Sequence, residues 1–383
     1  MRSIVLLALA AALAGCQTVR DTYDSAFGSG PVQKPADLVP IKPTATPRIL
    51  WSGAVGAAER NVYFPAVSGN VVYATGANGN VTGFDAASGK GVAQIAAGQP
   101  VSGGVGVGGG MVLLGTARGE VLAFDRNGKS LWKSQLSGEV LAPPEAQEGT
   151  VAVRVGDGRI FGLDAATGKR KWVYQRTNPA LSVRTNTGLV IDRGGVFVGF
   201  PGGRLVALLL GNGNVGWEAV VALPRGSTEL ERVADITSLP VLDGQHICAA
   251  AFQGRVACLD ATRGTVVWAR ELSSIAGLRV DARYLYVTDD KNAVLALDKV
   301  NGSSIWRQDK LAGREVSAPL PVGRYVVVGD FEGYVHVLSR EDGSFAARIA
   351  TDGSAIKAPP VALDPGTFLV QTRKGGIFAI TIQ

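Results

Sequence analysis

A seven-residue pattern, Gly-x-Val-x-Ala-x-Asp, returns along the chain at intervals near forty residues, and few folds accommodate such a period. Clear copies are Gly119–Asp125, Gly158–Asp164, Gly254–Asp260 and Asn292–Asp298, and weaker ones begin at Gly79, Gly203, Gly333 and Gly375. The eight starts are separated by 40, 39, 45, 51, 38, 41 and 42 residues. Five of the six tryptophans (Trp132, Trp172, Trp217, Trp268, Trp306) stand 13 or 14 residues after a start. Alternating residues inside each unit and a period of this length predict an all-β protein, a β-propeller.

Each unit reads as four short antiparallel strands. Leu320–Asp330 is a strand, a tight turn at Gly323 and a second strand. Phe331-Glu332-Gly333 then turns the chain into Tyr334–Ser339, and Glu341-Asp342-Gly343 turns it into a fourth strand. The small residue of the third strand (Ala123, Gly162, Ala207, Ala296, Ala379) is expected to let neighbouring blades approach, and the Trp to cover the gap between them. Asp85, Asp125, Asp164, Asp260 and Asp298 read as turn residues bonding local backbone. The glycine-rich run 103–110 has no helix after it and reads as a blade turn rather than a phosphate cradle. Trp51 has no motif before it, and the last motif has no Trp strand after it. An N-terminal strand completing the last blade supplies both missing parts. Residues 48–383 are therefore expected to form an eight-bladed β-propeller of four-stranded antiparallel blades, closed by that strand.

Residues 1–15 carry Arg2, an apolar run from Ile4 to Ala12 and then Leu13-Ala14-Gly15, immediately before Cys16. The run is too short for a permanent span and reads as a lipoprotein signal peptide, with lipidation predicted at Cys16. Several acyl chains hold a protein in a bilayer where one comes and goes, at about 0.8 kcal/mol per buried CH₂. In bacterial lipoproteins an Asp after the cysteine marks inner-membrane retention; Gln17 stands there and implies outer-membrane sorting. Residues 16–47 read as the lipidated terminus and a linker, extended by Pro31, Pro35, Pro40, Pro43 and Pro47.

The formal charge of +6 is mild and scattered, which argues against nucleic acid as a partner. Cys248 and Cys258 fall on two arms of one hairpin; they form either a disulfide or two packed thiols, depending on register. Catalytic vocabulary is sparse. His246 and His336, the only histidines, lie on different repeats, and no nucleophile elbow, zinc helix or phosphate loop appears. No cofactor or metal is expected from these residues.

The motif resembles the pyrroloquinoline-quinone-like repeat over Trp51–Gln383. Quinoprotein dehydrogenases of that family add adjacent cysteines and dedicated ligands for calcium and quinone, and this chain has no Cys-Cys pair. A more specific resemblance rests on Gly226-Ser227-Thr228-Glu229-Leu230-Glu231-Arg232-Val233-Ala234-Asp235-Ile236 and on Leu181-Ser182-Val183-Arg184. Together with the lipobox and linker, these stretches resemble the BamB family, propeller lipoproteins of the outer-membrane β-barrel assembly machinery. The resemblance implies a non-catalytic scaffold on the periplasmic face of the outer membrane, docking the POTRA domains of BamA and aiding insertion of unfolded barrel clients. It gives the partner-binding role to Leu181, Val183, Arg184 and Asp235. Val183 replaces a leucine, and Thr237 stands where a second acidic residue is common. Independently, the two longest motif intervals fall at these stretches, and extra loop in a repeat array gathers on one face. Thr228–Glu231 fits a capping box and predicts a helical turn with Leu230, Val233 and Ala234 on one side. A quinoprotein-type dehydrogenase and a different periplasmic scaffold are the alternative readings.

Overall fold

The computed structural model describes residues 34–383, so Cys16 and the signal segment lie outside the described residues. Thirty-two strands form eight four-stranded antiparallel sheets. In seven of them the strands run in chain order from the inside outward, blade 1 beginning at Ala66–Ser68 and blade 7 ending at Phe345–Ala350. Blade 8 takes Val361–Asp364, Thr367–Gln371 and Gly376–Ile382 from the C-terminus and Pro47–Ala54 from the N-terminus. Trp51 pairs there with Ala379, the register the motif prescribes for every other Trp.

The core is divided into eight wedges, each shared by two adjacent blades and filled from both. Strand alternation produces this, because successive side chains point to opposite faces and each sheet packs on both. The motif's logic is visible at the wedge rim. Ala123, Gly162, Ala207 and Ala296 lie directly across the sheet from Trp132, Trp172, Trp217 and Trp306. The small residue thus makes room for the ring of its own blade, and it is the ring that reaches the next blade. Each indole N–H donates to a carbonyl there: Trp51 to Ala86, Trp132 to Ala165, Trp172 to Leu210, Trp217 to Ala261, Trp268 to Lys299 and Trp306 to Arg340, all at 2.8–2.9 Å. The turn glycine after the motif lies on the ring's face. Gly264 has φ +71, and a Cβ on it would stand 2.6 Å from Trp217. The motif aspartates accept local backbone N–H groups, as Asp260 does from Thr262 and Arg263.

Two expectations are corrected. Gly103–Gly108 is the innermost strand of blade 2 rather than a turn, and its glycines admit the backbone of Ala142–Ala146 from blade 3. Residues 39–45, expected as free linker, lie along the outer strand of blade 7. The Thr44 and Ala45 amides donate to the Ala346 carbonyl, and the Arg348 guanidinium donates to that of Val39. Beneath this strap, His336 is fully buried, its Nε2 on Asp330 at 2.9 Å and its Nδ1 accepting from Arg348 at 3.2 Å. Cys248 and Cys258 are direct cross-strand partners in blade 5 and are joined as a disulfide.

Candidate functional site

Because strands alternate in direction, the links between blades and the turns between second and third strands emerge on one face. The two long motif intervals place their extra residues there, in the links into blades 4 and 5. Residues 175–189 have no regular structure, so Leu181–Arg184 is loop and not strand. Leu181 is 44% exposed, Val183 is half-buried, and Arg184 is exposed at its side chain.

What holds this loop is Asp235. At 2% exposure it is buried, so it offers no surface of its own. One carboxylate oxygen accepts the Val183 amide at 2.7 Å, and the other accepts the Gly202 amide at 3.0 Å. Its carbonyl accepts the Phe252 amide at 2.8 Å. Asp235 therefore acts as a brace between the two long links rather than as a contact residue. Arg154 lies below, almost wholly buried; burial pulls its pKa down to about 10, while the charge of Asp235 opposes the shift. Thr237 is also buried, its carbonyl accepting from Thr185 and Thr187 and its hydroxyl donating to the Ile275 carbonyl. At this position the chain carries a loop-to-loop clasp and no charge.

Two functional features lie beyond the sequence reading. The Arg184 fork is already engaged: Nε and Nη2 donate to the two Glu139 oxygens at 3.2 and 2.9 Å. This hydrogen-bonded carboxylate raises the Arg184 pKa. Glu139 belongs to the link into blade 3, and no spacing rule connects it to Arg184. The second feature is the form of the 226–236 loop. The capping-box bonds exist, with Glu231 accepting from the Ser227 and Thr228 amides and donating its own amide to the Thr228 hydroxyl. They close a turn and no helix. Val233 and Ala234 are buried whereas Leu230 is 71% exposed, so the three do not share a side. With its amide nitrogen turned toward the loop, Gln253 has the carbonyls of Leu230, Glu231 and Val233 within 3.0–3.2 Å as acceptors for its two N–H groups.

The result is a braced surface with exposed leucines and the exposed Arg184 guanidinium beside them. Such a surface suits recognition of a protein, since arginine is a common hot-spot residue and the exposed aliphatic side chains beside it can exclude water on docking. Among the described residues no three His, Cys, Asp or Glu side chains gather as a metal site.

A family model described as outer membrane protein assembly factor BamB matches residues 77–308. The BamB of Nitrosomonas eutropha is 42% identical over 349 residues, covering 91% of this chain and 85% of that protein. The BamB of Escherichia coli is 32% identical, with 96% of each chain covered. The crystal structure of BamB from Moraxella catarrhalis superposes with a TM-score of 0.81 at 27% identity, over 88% of this chain and 100% of that one. The quinohemoprotein alcohol dehydrogenase of Comamonas testosteroni, at 14% identity, TM-score 0.71 and coverage of 88% and 76%, shares the fold alone. The protein stands with the non-catalytic assembly factors and apart from the quinoprotein dehydrogenases. With nearly its whole length matched at this level, the chain belongs to the BamB family of outer membrane protein assembly factors.

Proposed function

We propose that the protein is a lipid-anchored scaffold of the outer-membrane β-barrel assembly machinery. Cys16 carries the lipid, the propeller stands on the periplasmic side, and the link surface of blades 4 and 5 docks the POTRA domains of BamA. Leu181 and Val183 seat the apolar centre, and Arg184 makes charge-assisted hydrogen bonds beside them. Asp235 holds all three in place from beneath. The observation that carries this reading is the Asp235 brace, because it joins the two most elaborated loops and leaves Leu181 and Arg184 outward on a fixed backbone.

Docking exchanges or extends the Arg184–Glu139 pair, and an exposed ion pair of this kind offers little resistance. Truncating a hot-spot arginine often costs about 2 kcal/mol, so Arg184→Ala is expected to weaken binding of BamA POTRA domains roughly 30-fold. The melting temperature should stay within a degree or so, because an exposed substitution removes little packing. Unchanged affinity in a variant that melts normally would place the interface elsewhere.

A further inference from the structure

Beside the docking surface, on the same face, a cavity of about 360 Å³ opens at the propeller axis. Residues just before or within the inner strands of blades 1 and 4–8 line it, so it surrounds the axis rather than a gap between two blades. Much of its wall is apolar, with Val62, Phe64, Leu239, Ile275, Val316 and Pro359.

One cation stands out in this wall. Arg279 lies on the innermost strand of blade 6, Gly277–Val280, between Leu278 and Val280, which both pack into the wedge against blade 5. Alternation turns Arg279 the other way. Its Nη1 donates to the Leu278 carbonyl at 3.0 Å, and among the described residues no carboxylate lies within 4.0 Å of its guanidinium. The other charges in the wall are accounted for. Arg184 pairs with Glu139, Lys357 with Glu315, and Asp289 with Arg307. Asp290 is exposed at the edge, beyond ion-pair reach of Arg279. Ser238, also in the wall, has a buried hydroxyl with no hydrogen-bond partner. Burial alone lowers the Arg279 pKa, with no anion opposing it. Arg279 is half-buried, and a guanidinium partly withdrawn from water without a counter-ion is incompletely compensated.

We propose that the axial cavity is a binding site for a carboxylate carried on a short apolar chain, with Arg279 holding the carboxylate. The planar fork of arginine matches a carboxylate bidentately. A single cation without a carboxylate partner, in a largely apolar wall, fits a monoanion; a phosphate dianion would demand more donors. The volume accommodates a small ligand or one or two side chains. The carboxylate comes either from a free small acid or from an acidic side chain of a docked protein, since Val183 and Arg184 border both the cavity and the docking surface.

The test uses hexanoate as the probe, hexanol as its uncharged control, and saturation-transfer NMR on the whole propeller. The parent is expected to transfer saturation to hexanoate and not to hexanol. Arg279→Gln should lower the hexanoate signal at least ~10-fold, corresponding to about 1.4 kcal/mol, and Arg279→Lys should keep part of it. Arg279→Gln should melt no lower than the parent. No transfer from the parent, or equal transfer to hexanol, overturns the site whatever the variants do. Equal binding by a folded Arg279→Gln overturns the role of Arg279. The source is then read from BamA POTRA affinity: a drop of ~10-fold in Arg279→Gln assigns the carboxylate to the partner, and no change assigns it to a free acid. Hexanoate binding needs no partner, so it stands or falls separately from the docking reading.

Discussion

At the scale of single residues, the repeat is a device for stacking one blade on the next, and its parts can be tested separately. Gly264 and Gly244 both have positive φ, +71 and +60, but only Gly264 lies on a tryptophan; a Cβ at Gly244 would meet nothing within 4 Å. Gly244→Ala should therefore cost only the left-handed backbone term, about 1 kcal/mol. Gly264→Ala should cost about 2–4 kcal/mol, because the ring must also move. Equal melting temperatures for the two variants would refute the stacking role. Asp235→Ala leaves the Val183 and Gly202 amides without their acceptor, so hydrogen exchange at Val183 should accelerate by ~10-fold or more and docking should weaken. Unaltered protection at Val183 would mean that the loop is held by something else. The tryptophans, the small residues opposite them and the turn aspartates were legible because they repeat. Glu139 and Gln253 were not, because each meets its partner through a contact between non-repeating loops, which no position in the motif marks.

At the scale of strands and loops, the alternation of short apolar runs with Gly and Asp turns laid out the hairpins of blade 7 almost residue for residue. The run 103–110 misled because a glycine strand and a glycine turn have the same composition, and only the approach of blade 3 distinguishes them. The cysteines stood on the right hairpin, but their pairing depended on register. The disulfide closes a short loop, so reduction is expected to cost about 2–3 kcal/mol, seen as a lower melting temperature in reductant. A Cys248→Ala/Cys258→Ala variant should be insensitive to reductant. Acid is the second lever on an element. Burial holds the His336 pKa below its ordinary 6.5, outweighing the favourable bond to Asp330. The unfolded ring takes up a proton as pH falls through 6.5 and the folded ring does so only at lower pH, so its stabilisation is complete above 6.5 and fades below it. Glu145 acts oppositely, its pKa raised by burial to about 7, so the informative quantity is the difference between parent and His336→Gln. That difference should shrink as pH falls below 6.5, by at most about 1.4 kcal/mol per unit, in denaturant melts. A difference that does not vary with pH would mean that His336 titrates equally in both states.

For the whole molecule, the number of blades and the manner of closure followed from counting motifs and noting one tryptophan without a motif. The division of the core into eight wedges followed from neither, since hydropathy along a strand does not say which blade a side chain will meet. The anchor is tested at this scale too: Cys16→Ser should leave the propeller's melt unchanged and move the protein from the membrane fraction to the soluble periplasmic fraction. Retention in the membrane by that variant would require another tether. Closure by Pro47–Ala54 against Gly376–Ile382 also has a consequence in time. A ribosome makes the first of these strands more than three hundred residues before the second. Blades 1 to 7 can each form as their own segment appears, but the eighth waits for the end of the chain. The lock is therefore a test of completeness. A chain stopped short of Gly376 leaves its earliest strand unpaired and two sheet edges open, which exposes an unfinished propeller to aggregation.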